Sequence, residues 1–337
     1  MALLWVDGFE GYGTSDGSAP SPTGVVGRKY GVASESNMDI EAGRFGSGHC
    51  LELALSSWMR TPTLTTDDTL IVGVAFKATA GLAYVVNLYD DSVGGMNVIF
   101  SYGRLIVRRG STELEIADIH LNEDAWYWIE FKVVCHNSTG SYELRVGEVN
   151  VASDSGIDTQ AGSDVYHSRV MLGNSSSQYL NMVDDFYVCD GSGSDNNDFL
   201  GNMNVTTLFP DGAGTTTDFT ASSGANYTCV DEQECNDDTD HVESSTASHK
   251  DTYEYDDVGS LVDIKGVQID TMCRETSGSY SLITVIQSNS VDYDDSAQAI
   301  GTSSYTSLRR VAEQDPNTSA AWLAAAINSA EFGIKVG

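Results

Sequence analysis

The densest reactive chemistry in the sequence lies between Asp231 and Asp257, where 11 carboxylates and one lysine, Lys250, fall within 27 residues. Carboxylates at that density hold a cation or face a basic partner when they converge, and otherwise form a solvated loop. The D-x-[DN]-x-[DN]-G spacing of a calcium-binding loop does not occur there, so the segment is read as solvated. Cys229 and Cys235 stand at its edge with five residues between them. That separation lets a disulfide close across a turn if the Cα atoms come within about 7 Å. The remaining cysteines, Cys50, Cys135, Cys189 and Cys273, are dispersed, show no zinc spacing and read as buried thiols.

Catalytic constellations are sparse. The histidines, His49, His120, His136, His167, His241 and His249, lie in no HExxH or GxSxG context, and no phosphate-cradling GxxxxGK[ST] is present. Glu130 is the nearest isolated carboxylate, on an otherwise aromatic strand face, and Lys132 on the same face makes it a cross-strand charge partner. The chain is therefore expected not to be an enzyme and to require no cofactor.

The elements that must position these residues follow from composition. With 17 basic against 49 acidic residues the formal charge is −32, which disfavours free nucleic acid as a partner. Hydrophobic residues make up 41% and charged ones 20%, enough apolar material for a core. Gly is frequent at 33, Pro rare at 5, and Tyr abundant at 16, a composition of short strands joined by tight turns. The opening MALLWVDGFE has no basic segment and is not read as a secretion signal. Leu70 to Phe76, the longest apolar run found, is broken by Gly73 and too short to cross a bilayer, so no membrane span is expected.

Alternation predicts strands at 70–77, 83–88, 97–101, 104–109, 126–135, 142–146, 169–172 and 182–189. Over Trp126 to Cys135 it places Trp126, Trp128, Glu130 and Lys132 on one face, with Tyr127, Ile129, Phe131 and Val133 on the other. One wholly apolar face is the pattern of a strand in a two-sheet sandwich. After Asp190 the composition changes to GSGSDNND, which has no apolar residue. The expected division is a first domain over 1–190, a linker over 191–198, and a smaller mainly-β domain over 199–337. In the latter, strands are predicted at 205–209, 258–270 and 280–287, and one short helix within Asn317 to Ala330, capped by Asn317 and anchored by Trp322.

Three segments, LLWVDGFEGYG (Leu3 to Gly13), GRFGSGHCLEL (Gly43 to Leu53) and MVDDFYVCD (Met182 to Asp190), resemble the concanavalin-like and laminin-G-like jelly-roll superfamily, particularly versions found as tail or decoration modules of bacteriophages. AWYWIEFKV and SGIDT lie between them in the expected order, and the resemblance spans residues 1–190. FLGNMNVTTLFPDG, VDEQECNDDTDHV and AAWLAAAINSAEFGIKV resemble a carboxy-terminal module of phage structural proteins.

The resemblance implies an all-β, antiparallel jelly-roll sandwich followed by the smaller mainly-β domain. First and last strands would lie side by side, with Phe9 and Phe186 pointing inward. It implies a structural Ca²⁺ joining Asp7 or Glu10 to Asp184 or Asp185. The Glu-x-Asp-x-x-Glu strand of glycosidases with this fold does not occur. The setting implied is a virion assembled in the host cytoplasm, with the chain as an external tail, baseplate or fibre component or a capsid decoration protein. Its partners would be other virion proteins and further copies of itself, as a homo-oligomer. The alternative is a carbohydrate-binding module for host-surface adsorption, using Trp58, Tyr84, Tyr89 and Tyr102 as stacking platforms for a host-surface glycan.

Overall fold

The computed structural model describes residues 2–13, 24–79, 81–90, 93–173, 180–259, 263–276, 278–301 and 304–337. The chain forms two compact units, Met1–Thr206 and Thr207–Gly337. Both are built from antiparallel sheet, so the expected all-β class holds.

The strands of the first unit are β1 (Leu3–Asp7), β2 (Val32–Ser34), β3 (Met38–Ala42), β4 (His49–Leu53), β5 (Trp58–Arg60), β6 (Thr69–Ala78), β7 (Leu82–Asp90), β8 (Val93–Ser101), β9 (Arg104–Arg109), β10 (Thr112–Ile116), β11 (Tyr127–Val134), β12 (Gly140–Val146), β13 (Val149–Ile157), β14 (Arg169–Gly173) and β15 (Asn181–Asp190). One sheet runs β13-β12-β11-β6-β15-β4-β3, with β1 also paired to β15; the other runs β10-β9-β8-β7-β14-β5-β2. A short helix, α1 (Val25–Tyr30), lies between β1 and β2 in the chain.

Alternation explains how the sheets meet. Ile129, Phe131 and Val133 of β11 are buried with Val74, Val72 and Leu70, their register partners on β6. Phe76 of β6 meets Phe100 of β8 across the sandwich, ring centroids 6.1 Å apart. The first and last strands pair as expected, Asp7 opposite Phe186, and Phe9 and Phe186 are both fully buried. The other face of β11 carries Trp128, Glu130 and Lys132, and Trp128 stacks on Tyr187 of β15. The Tyr187 ring lies flat against Gly73, where a Cβ would fall 2.0 Å from its Cε1.

The start of the stretch assigned to the second domain, residues 199–205, packs on that face. The Leu200 N–H donates to the Tyr187 hydroxyl at 3.1 Å, the Gly201 N–H to Glu130 at 2.9 Å, the Asn202 N–H to Glu148 at 3.2 Å and the Val205 N–H to Asp185 at 2.6 Å. The Arg145 guanidinium sits over Phe199, 4.0 Å from the ring centroid. These bonds are why the compact unit runs on to Thr206 instead of ending at residue 190.

The second unit has a sheet ordered 210–217, 250–255, 331–336, 281–288 and 291–294, with 298–299 also paired to 281–288. Ile286, Trp322, Ile327, Ala330 and Phe332 form one cluster of its core. The predicted strand at 280–287 is found as Ser281–Ser288, whereas 205–209 is not a strand and 258–270 is a strand only from Val267; residues 260–262 lie outside the described residues. The predicted helix shortens to α2 (Ala324–Asn328). Asp315 is the reason. Its carboxylate accepts from the Asn317 N–H and the Thr318 hydroxyl, both at 3.0 Å, and Gln314–Asp315 pairs with Ala320–Ala321. Asn317 and Thr318 are thus held in a turn and cannot begin a helix.

Candidate functional site

Of the carboxylates expected to bind calcium, Asp7 closes β1 and Asp184 and Asp185 lie within β15, and protein donors occupy all three. Asp7 accepts from the Phe9 N–H at 3.0 Å, the Tyr12 hydroxyl at 2.6 Å and the Tyr30 hydroxyl at 2.7 Å, and Lys29 Nζ lies 3.2 Å away. A bulge in β15 puts Asp185 in the left-handed region at φ 50° and turns both neighbouring carboxylates toward one arginine. Asp184 accepts from the Arg44 N–H at 2.9 Å, and Asp185 pairs with Arg44 Nε at 2.5 Å. Burial pushes the Asp184 carboxyl up to about 7, reinforced by Asp185 beside it and opposed by the Arg44 N–H. The positive partner here is a guanidinium, and a donor set so occupied does not fit a divalent cation. The Glu10 carboxylate lies against Gly8 and Gly48. Among the described residues, no three His, Cys, Asp or Glu side chains group as metal ligands.

Glu130 is not paired with Lys132. It is fully buried, accepting from the Tyr187 hydroxyl at 2.6 Å and the Gly201 N–H, and burial raises its pKa. Lys132 reaches Asp198 at 3.0 Å. Cys229 and Cys235 are both free thiols: the buried Cys229 Sγ donates to the Ser223 carbonyl, and Cys235 Sγ lies 3.7 Å from Asp237.

The outer face of the β10-to-β2 sheet has a different character. In an antiparallel sheet, directly paired residues share a face. Register therefore places Arg60, Met171, Asn87, Asn97, Arg108 and Glu113 in one row across β5, β14, β7, β8, β9 and β10. Tyr84 stands on the same face opposite Ile99, Tyr89 opposite Arg169, and Trp58 opposite Gly173. The intervening residues, such as Met59, Ala83, Val98, Leu105 and Val107, point into the sandwich core and are buried. Trp58, Arg60, Tyr84, Tyr89, Arg108 and Arg169 remain partly accessible.

The tyrosines and arginines on this face are coupled. The Arg60 guanidinium lies over the Tyr89 ring, 5.1 Å from its centroid, and Arg169 Nε donates to Thr63 at 3.1 Å. The Tyr89 hydroxyl is 3.4 Å from Asn87 Nδ2. Burial raises the Tyr89 pKa, with Arg60 opposing and Tyr84 adding to it. Asn87 Oδ1 and Asn97 Oδ1 are buried acceptors without a hydrogen-bond donor, and the Nε atoms of Arg60 and Arg108 are buried donors without an acceptor.

No protein-family model matches the sequence, and no curated protein matches it. Among solved structures, the chain is similar to the endo-β-1,4-glucuronan lyase of Trichoderma reesei, at 11% identity over 48% of this chain and 90% of that one, with a TM-score of 0.37. It is also similar to domain 4 of the arabinanase AbnA of Geobacillus stearothermophilus, solved with arabinotriose, at 15% identity over 56% and 93% and a TM-score of 0.39. A third is the carbohydrate esterase of Shiga toxin-encoding bacteriophage phi24B, at 12% identity over 47% and 88% and a TM-score of 0.35. Scores this low identify no partner, substrate or reaction for this chain.

Of the four aromatic side chains expected to stack on a glycan, the fold brings Trp58, Tyr84 and Tyr89 to one sheet face. Tyr102 is set apart, 67% exposed in the turn between β8 and β9, at φ 49°. The arginines and asparagines between them escaped the sequence reading. Their signal was the period-2 pattern of Arg104, Ile106 and Arg108, which alternates with the buried Leu105 and Val107.

Proposed function

We propose that the first unit binds carbohydrate on the outer face of its seven-stranded sheet. One observation carries this: three partly accessible aromatic side chains, Trp58, Tyr84 and Tyr89, stand on a single sheet face beside Arg60 and Arg108. A sugar ring presents flat apolar patches edged with hydroxyls, and tyrosine and tryptophan offer a matching apolar body with a polar tip. The face acts by binding and does not turn its ligand over. Glycan-array binding of the whole chain, with loss on Tyr84→Ala and Tyr89→Ala but retention in Tyr102→Ala, tests the site. Depolymerisation of a bound polysaccharide would overturn the non-enzymatic reading.

The setting proposed is a bacteriophage virion, with the chain as an external component of the tail, baseplate or fibre apparatus or of the capsid, assembled as a homo-oligomer. The order of the jelly-roll and carboxy-terminal motifs supports this, and a glycan-binding face suits adsorption to a host surface. Mass spectrometry of purified particles tests it; detection only in the infected-cell lysate counts against it.

A further inference from the structure

We propose that the ligand of this face is an acidic polysaccharide whose carboxylates are received by Arg60 and Arg108, a proposal that rests on the glycan-binding reading above and narrows it. Charge complementarity argues for it. With 17 basic residues among 49 acidic ones, carboxylate partners are plentiful. Arg44 pairs with Asp185, Arg109 with Asp158, Arg145 with Glu143 and Arg274 with Asp238. Arg60 and Arg108 have no carboxylate partner among the described residues, although the Nε of each is buried. Even Glu113, opposite Arg108 in the register, makes no ion pair with it.

An unpaired, partly desolvated guanidinium is costly, and its planar donors match a carboxylate in bidentate geometry. Arg60 and Arg108 stand four strand spacings apart, on the order of 19 Å at about 4.8 Å per strand. That span suits an extended chain of several sugar units better than a single small acid. Between them lie Asn87, Asn97 and Met171, which are buried and form the floor of the row. A sugar acid supplies in one residue a carboxylate for a guanidinium and a flat ring face for the partly accessible Tyr84 and Tyr89. A polynucleotide also brings charge, but a chain of net charge −32 disfavours a continuous run of phosphates, so the glycan is the better match.

Affinity electrophoresis of the whole chain tests this, in gels containing polygalacturonate, alginate, hyaluronate or polysialic acid, beside dextran and single-stranded DNA. The expected result is retardation by at least one acidic glycan, weakened about tenfold or more by Arg60→Gln and by Arg108→Gln. Methyl esterification of that glycan's carboxylates should abolish retardation of the unaltered protein, a readout independent of whether the variants fold. Retardation by dextran alone, or retardation by an acidic glycan unchanged by both substitutions and by esterification, would leave the glycan reading standing and overturn the acidic one. No retardation in any glycan gel would overturn both. Equal retardation by single-stranded DNA would mark a general polyanion surface and overturn the assignment to sugars.

Discussion

The guanidinium carbon of Arg60 lies 5.1 Å from the centroid of the Tyr89 ring, the two side chains reaching each other from β5 and β7 across the intervening β14. The contact orients a cation and an aromatic plane on one accessible sheet face. Tyr89→Ala should therefore weaken glycan binding by about 1–2 kcal/mol, roughly 5- to 30-fold, while Tyr89→Phe retains most of it. Isothermal titration of the three proteins against the best array ligand measures the difference.

Arg44 is the shared partner of Asp184 and Asp185, with only 6% of its side chain exposed. Arg44→Met removes the cation and leaves two carboxylates facing each other in a buried bulge. Loss of one partner of a buried pair costs about 3–5 kcal/mol, which urea unfolding should show. The same experiment in millimolar Ca²⁺ and in excess chelator should give superimposable curves for the unaltered protein. A calcium-dependent rise in its midpoint would reinstate a metal clasp at Asp7, Glu10, Asp184 and Asp185.

Tyr187→Phe should destabilise the first unit by about 1–3 kcal/mol, because Glu130 loses a 2.6 Å donor inside the protein. The Leu200 N–H loses its acceptor in the same step, so protection of the 200–205 amides should fall in hydrogen exchange. Protection unchanged there would mean that the segment is held by other contacts.

Two buried groups give the acid stability curve opposing slopes. Asp184 is pushed up from 3.8 to about 7, so the folded state takes its proton first. Its contribution is fully present below about 4 and is lost as pH rises through 7. His167, almost wholly buried, is pushed down from 6.5 to about 4 by burial, with Asp90 and the Thr159 backbone opposing. There the unfolded state takes the proton first, and stability falls as pH drops from 6.5 toward 4. Asp184→Asn should steepen the loss of stability on acidification, and His167→Gln should flatten it. Urea midpoints at pH 4, 5.5 and 7, values chosen to span roughly both titrations, decide both signs.

Burial pushes the Cys50 and Cys135 thiols up to about 12, which leaves almost no thiolate near neutral pH. Neither should react with iodoacetamide in the folded protein, and both should react in denaturant. Non-reducing peptide mapping should recover Cys229 and Cys235 as alkylated thiols. A linked 229–235 peptide would show that their turn can close.

Period-2 alternation by itself located the long central strands of the first unit, such as β9 and β11, but not short ones such as β2, β3, β5 and β10, because an apolar residue at every second position has to face a core whatever lies beyond it. It placed Ile129, Phe131 and Val133 inward, and the pairing of first and last strands followed from the resemblance of their motifs. Local side-chain chemistry already misled it at Asn317, where Asp315 captures the turn before a helix can start. The binding face was beyond its reach. Arg60, Asn87, Asn97 and Arg108 share one row only because β5, β7, β8 and β9 are neighbours or near neighbours in the sheet, and that order comes from long-range pairing through β14. Likewise Asp184 and Asp185, neighbours that a regular strand would send to opposite faces, turn to one arginine 140 residues away because a bulge breaks the alternation. Alternation specifies which side of a strand a residue takes, whereas the strand beside it is set by the free energy of the whole sandwich.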